Sequence, residues 1–196
     1  MSERTRIKIG RLMVLAGTVL LTLWLVVRAD AWIYEKNASR EIDGLLSRTD
    51  AGEHSLEPRT ASDEGLIGRI EIPTLGLTAP VLEGTGERAL RRGVGHVKST
   101  AFPGERGNVA LAAHRDTYFG KLGEVSTGDL ITIRTFDGTY TYKVDYTLIV
   151  TPERGDLLAP VENSTLTLVT CYPFNWVGPA PKRFVVRASR VDAYSS

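Results

Sequence analysis

Residues 130–150 read LITIRTFDGTYTYKVDYTLIV. Two runs rich in Ile, Val, Thr and Tyr, with apolar and polar residues in alternation, flank Asp137-Gly138, a pair that favours a tight turn between antiparallel strands. The spacing predicts a β-hairpin. Working outward, the same texture recurs in LIGRIEI (66–72), LTAPVLE (77–83), NVALAAH (108–114), TLTLVTC (165–171) and RFVVRASRV (183–191). Gly and Pro punctuate most gaps, as in Pro73-Thr74-Leu75-Gly76. Helix signals are few: GERALRRG around Ala89 and TYFGKLGEV around Leu122 are each long enough for a turn or two. Many short strands with little helix predict a mainly β fold. A closed barrel of seven or eight strands, antiparallel or mixed, removes exposed edges.

Composition agrees and narrows the function. The chain has 196 residues, 42% of them hydrophobic, enough for one sizeable core. Twenty-four Lys and Arg stand against 23 Asp and Glu, so no strong basic field points to nucleic acid as a partner. The 19 Gly and 9 Pro favour a turn-rich β protein over a helical bundle. A single Cys excludes an intramolecular disulfide.

The N-terminus has a different character. Leu12 to Val27, LMVLAGTVLLTLWLVV, is uncharged and follows Arg4, Arg6, Lys8 and Arg11. As a helix it spans roughly 24 Å, a little under a hydrocarbon core of ~30 Å. Snorkelling by Arg11 and Arg28, with Trp32 and Tyr34 at the interface, closes that gap. The expected organisation is a basic cytoplasmic tail (1–11), a transmembrane signal anchor (12–33), a juxtamembrane helix and polar stalk (34–65), a folded domain (66–192) and a short tail (193–196). The alternative is a cleaved signal peptide, because Ala29-Asp30-Ala31 has the small-x-small form of a cleavage site. Either reading places the domain outside the cytoplasm, where a lone Cys asks for a reason.

Cys171 closes the TLTLVTC run, where the chain is expected to leave the sheet. By position alone it serves equally well as a nucleophile or as a small buried hydrophobe. A thiol with an ordinary pKa of ~8.5 is only slightly ionised at neutral pH, so a catalytic Cys wants a base or cation nearby. His114 ends NVALAAH and Arg183 opens RFVVRASRV, so all three groups fall at predicted strand ends. His54, in the stalk, reads as exposed and idle, and His96 in GVGHV as a packing or loop residue.

TLTLVTC resembles the TLxTC signature of sortases, the bacterial cysteine transpeptidases that sort proteins to the cell surface. The block GVGHVKSTAFPGERGNVALAAHRDTYFGKL resembles the sortase segment in which the catalytic His follows a Pro-Gly-Glu-x-Gly-Asn stretch, and GPAPKRFVVRA resembles the segment with the catalytic Arg. The match runs from about Leu66 to Val191, and the short CYPF…APKRF spacing looks most like class D sortases or their relatives. The resemblance implies a sortase-like barrel with Cys171, His114 and Arg183 as the catalytic set and no cofactor or metal. It implies a sorting-signal-bearing surface protein or pilin as donor and an amine, from cell-wall peptide or Lys, as acceptor. Ala113 departs from the Gly that many members carry before the His, adding a methyl group beside the imidazole. Two other classes stay open: a membrane-tethered binding module with an inert Cys, and a metal site built from Cys171 and the three His, for which no CxxC or HxxxH spacing exists. The peptidoglycan transpeptidases with a Ser-His-Gly-Cys motif are disfavoured because Val169 and Thr170 precede the Cys.

Overall fold

The computed structural model describes residues 11–22, 24–25 and 65–191. Of these, 11–22 and 24–25 are helical (α1), with exposed apolar side chains such as Leu12, Leu15 and Trp24. Among the described residues no helix is long and apolar enough to cross a membrane. Residues 1–10 of the expected basic tail, residues 23 and 26–33 of the expected anchor, nearly all of the expected stalk with His54, and the C-terminal tail lie outside the described residues.

The folded domain is a closed eight-stranded barrel, ordered β1-β2-β3-β4-β7-β8-β6-β5. The strands are β1 (Leu66–Ile72), β2 (Leu77–Glu83), β3 (Val94–His96), β4 (Asn108–Ala112), β5 (Leu130–Thr135), β6 (Gly138–Val150), β7 (Thr165–Tyr172) and β8 (Lys182–Arg190). β2–β3 and β4–β7 pair in parallel and the other neighbours antiparallel, so the barrel is mixed. Alternating residues fill the inside: Ile70 and Ile72, Val109 and Leu111, Ile131 and Ile133, Leu166 and Leu168, and Val186 are all fully buried in one core cluster. Each such side chain contributes roughly 1.5–3 kcal/mol of hydrophobic stabilisation.

The expected hairpin forms, one residue earlier than predicted. Thr135 pairs with Gly138, so Phe136 and Asp137 make the two-residue connection. The Thr135 hydroxyl decides this: it accepts from the Asp137 N–H at 3.2 Å and donates to the Gly138 carbonyl at 3.3 Å, which satisfies the turn locally. GERALRRG forms α2 (Glu87–Arg92), whereas TYFGKLGEV yields only a 3₁₀ turn at Leu122–Glu124. β3 carried no sequence signal. It is three residues long, and Gly95 in its middle is required by packing, since a Cβ there would meet the Gly84 carbonyl and lie 2.9 Å from Leu90 Cδ2.

Candidate active site

β4, β7 and β8 lie side by side, and their register assembles the site. Ala112 stands opposite Val169 in the parallel pair β4–β7. The pairing continues past the end of β4: the Ala113 N–H donates to the Val169 carbonyl at 3.3 Å, and the buried Thr170 hydroxyl donates to the Ala113 carbonyl at 2.8 Å. Two residues beyond Ala112 and Val169 come His114 and Cys171, which are therefore level with each other on neighbouring strands, about 5 Å apart in backbone spacing. On the other side Cys171 is the direct antiparallel partner of Arg183. The three sequence-predicted residues thus form one row across the sheet.

They also share a face. Val109, Leu111 and Ala113, Leu166 and Leu168, and Phe184, Val186 and Ala188 belong to the interior cluster. By alternation Asn108, Ala110, Ala112 and His114, Thr167, Val169 and Cys171, and Arg183, Val185 and Arg187 lie on the outer face. Behind Cys171 the interior is closed by aromatic rings, with Tyr172, Phe174 and Phe184 centred 5.4–6.4 Å from one another. Gly123 makes room for this cluster, because a Cβ at that position would lie 2.6 Å from Phe174 Cε2.

Cys171 and His114 are both half-buried, which leaves each reachable from solvent. The His114 carbonyl accepts the Phe119 N–H at 3.1 Å, closing the turn that follows β4. Its ring makes no hydrogen bond among the described residues. The Arg183 Nη1 donates to the Ala180 and Lys182 carbonyls at 3.1 and 2.9 Å, which ties the guanidinium to its own loop. Nearby, the Glu153 carboxyl is held below its ordinary value by hydrogen bonds from Thr151 and from its own backbone N–H, with the Arg183 charge adding to the effect.

Arg115 is a group whose role the sequence did not disclose. Its Nη2 donates to the Trp176 and Gly178 carbonyls at 2.7 and 3.0 Å, clamping the β7–β8 connection beside His114. Adjacency to His114 is the signal that could have singled it out. His96, in contrast, stands apart from the row. It is fully buried on β3, with Nδ1 2.9 Å from Glu83 Oε2 and Nε2 3.0 Å from the Ala101 carbonyl. With both ring nitrogens engaged it has no capacity to join Cys171 at a metal, and no group of three or more His, Cys, Asp or Glu is so arranged among the described residues.

The sortase-domain family model matches residues 70–191, from the first core strand to the end of β8. The chain belongs to the sortase family. It is 36% identical to Sortase D of Bacillus subtilis (strain 168), over 78% of this chain and 77% of that protein. Among solved structures, a Clostridium perfringens Sortase D5 transpeptidase superposes with a TM-score of 0.65 at 24% identity, covering 81% of this chain and 98% of the other. That second likeness speaks for the fold. A C. perfringens sortase C, solved with the C-terminal cell wall sorting motif, has a TM-score of 0.63 at 28% identity, covering 78% of this chain and 90% of that one. As a sortase, most like class D, the protein is a cysteine transpeptidase, and Cys171 is its single cysteine. The binding module with an inert Cys is thereby set aside.

Proposed function

We propose that this sortase cleaves a Leu-Pro-x-Thr-like sorting signal after Thr and passes the acyl group to an amine, with Cys171, His114 and Arg183 as the catalytic set. The observation that carries the reading is the row itself: a thiol with a guanidinium as its direct partner on β8 and, on its other side, an imidazole on the segment that continues β4 alongside β7.

The Cys171 thiolate attacks the Thr carbonyl, forming the S–C bond as the carbonyl π electrons move to oxygen. Arg183 Nη1 is held by the Ala180 and Lys182 carbonyls, and in this reading its Nε and Nη2 serve that oxyanion, where a well-placed donor contributes roughly 3 kcal/mol. His114 as imidazolium protonates the departing amine while the C–N bond breaks, leaving a thioester. An incoming amine then attacks the thioester, neutral His114 accepts its proton, and the thiolate departs. The attacking form therefore carries thiolate and imidazolium together, and the proton on His114 is the one that the leaving amine takes.

The outer face beneath Cys171 suits an extended apolar peptide. Ala110 and Val185 are buried, and Ala112 and Val169 half-buried, beside the β6–β7 loop of residues 151–164. The donor in this reading is a surface protein or pilin bearing the signal. The acceptor is the amine of a cell-wall peptide or of a Lys side chain. The sortase C relative was solved with a cell wall sorting motif, which supports a donor of that kind. The exposed apolar helix α1, preceded by basic residues, supports a single-pass membrane anchor over 12–33 with the domain, 66–192, on the extracytoplasmic side.

The decisive experiment incubates the protein with Leu-Pro-x-Thr peptides and candidate amines and follows the products by mass spectrometry. A thioester adduct on Cys171 is expected, and Cys171→Ala should show neither adduct nor cleavage. Cleavage by that variant at the parent rate would overturn the mechanism.

A further inference from the structure

A buried polar cluster lies on the same outer face as the proposed catalytic row, four residues back along β7 from Cys171, or about 13 Å at the rise of a strand. Thr167 is fully buried and Asn108 is 1% exposed, one on each strand of the β4–β7 pair. The Thr167 hydroxyl donates to Asn108 Oδ1 at 2.6 Å and accepts from Arg187 Nη1, on β8, at 2.7 Å. Both capacities of that hydroxyl are used. The same Nη1 lies 3.4 Å from Asn108 Oδ1.

The cluster reaches outward to one target. Arg187 Nη1 donates to the Leu157 carbonyl at 3.0 Å, and Asn108 Nδ2 donates to the Leu157 and Ala159 carbonyls at 2.9 and 3.4 Å. Those carbonyls belong to the 3₁₀ turn Gly155–Leu158 and its C-cap in the β6–β7 loop. That loop is exposed along nearly its whole length and holds no fully buried side chain in its 3₁₀ turn. Among the described residues, the hydrogen bonds that tie 152–161 to the barrel run through Leu157 and Ala159 alone. With Leu157 and Leu158 only half-buried and no side chain of the turn fully buried, the position of the loop leans on those bonds.

We propose that Asn108, Thr167 and Arg187 form a clamp that holds the β6–β7 loop against the outer face and so sets how tightly the sorting peptide is held. All three are positioning residues that act through the loop. The inference rests on the peptide-binding face proposed above. An extended tetrapeptide with its last carbonyl at Cys171 covers about 13 Å, so its first residue reaches the level of the clamp. The clamp therefore governs the end of the peptide farthest from the chemistry. Loss of contacts made equally in ground and transition states raises KM and leaves kcat in place.

The test uses the full-length protein with Thr167→Val, which keeps the shape of the side chain and removes both hydrogen bonds, and Arg187→Lys, which keeps a charged donor. Thr167→Val should raise KM for a Leu-Pro-x-Thr peptide about tenfold, the scale of losing charge-assisted hydrogen bonds, with kcat within about twofold. Arg187→Lys should fall between parent and Thr167→Val. Hydrogen exchange, read with no peptide present, should quicken at the amides of 155–159 in Thr167→Val and stay unchanged in β4, β7 and β8. Unchanged KM, a fall in kcat alone, or unchanged exchange in the loop overturns the clamp. If the parent cleaves no sorting peptide, the proposed substrate is wrong, and the exchange measurement still decides whether the clamp exists.

Discussion

His96 closes β3, His114 lies two residues past the end of the adjacent antiparallel strand β4, and the two have opposite surroundings. His96 is sealed in, with Glu83 at 2.9 Å on one ring nitrogen and the Ala101 carbonyl at 3.0 Å on the other, and Phe102 packs on its ring at 4.7 Å between centroids. His114 lies past the end of β4, half-exposed, level with Cys171, with a ring that makes no hydrogen bond among the described residues. The difference is one of unused capacity. A side chain whose donors and acceptors are all committed within the protein stabilises the fold. One with uncommitted nitrogens beside a thiol can move a proton.

This contrast can be broken by substitution. His114→Ala should lower kcat/KM for the sorting peptide by about a thousandfold, within the range general acid–base catalysis supplies. Its melting temperature should stay within a few degrees of the parent, and a variant that kept full turnover would remove His114 from the mechanism. His96→Ala should do the reverse: a loss of about 3 kcal/mol in denaturant unfolding, because Glu83 is left buried without its partner. Turnover per folded molecule should then match the parent. A drop in activity beyond the unfolded fraction would tie His96 to the site.

A third substitution touches a pair that is hydrogen-bonded and exposed to solvent. Arg154 donates to Asp156 through Nε at 2.7 Å and Nη2 at 2.9 Å, and that hydrogen bonding holds the Asp156 carboxyl below its ordinary value. A depressed carboxylate contributes stability above its unfolded value and loses it as pH falls through its folded one. Between about pH 5 and about pH 8 the contribution is therefore flat. In that window Asp156→Asn should leave the melting temperature unchanged, since solvent screens an exposed pair. A difference that grew across neutral pH would mean the pair is not screened.

Much of the barrel was legible because strand patterning is local. LTAPVLE and TLTLVTC alternate or run apolar for the length of one strand, and both formed where expected. β3 escaped because three residues containing Gly95 have no periodicity to read; it exists through its partners β2 and β4. The hairpin turn slipped by one residue because the Thr135 hydroxyl chose the closing pair over the Asp137-Gly138 preference. At the site, Cys171, His114 and Arg183 were marked by their motif blocks. The clamp residues lie inside the same blocks, Asn108 at the end of the Pro-Gly-Glu-x-Gly-Asn stretch, Thr167 in TLTLVTC and Arg187 in GPAPKRFVVRA, but their contact was not legible, because they are 59 and 20 residues apart in the chain and meet only through the sheet.

The sequence by itself determined every strand but β3, through side-chain alternation and the need for one core, and it held the motif blocks that name the family. Only the tertiary structure decided the row. Parallel pairing of β4 with β7 and antiparallel pairing of β7 with β8 are long-range choices, stabilised by burial of Leu111, Leu168 and Val186 against one another inside the barrel. Because side chains alternate with a period of two, that register puts His114, Cys171 and Arg183 on the outer face together, and a slip of one residue would have divided them.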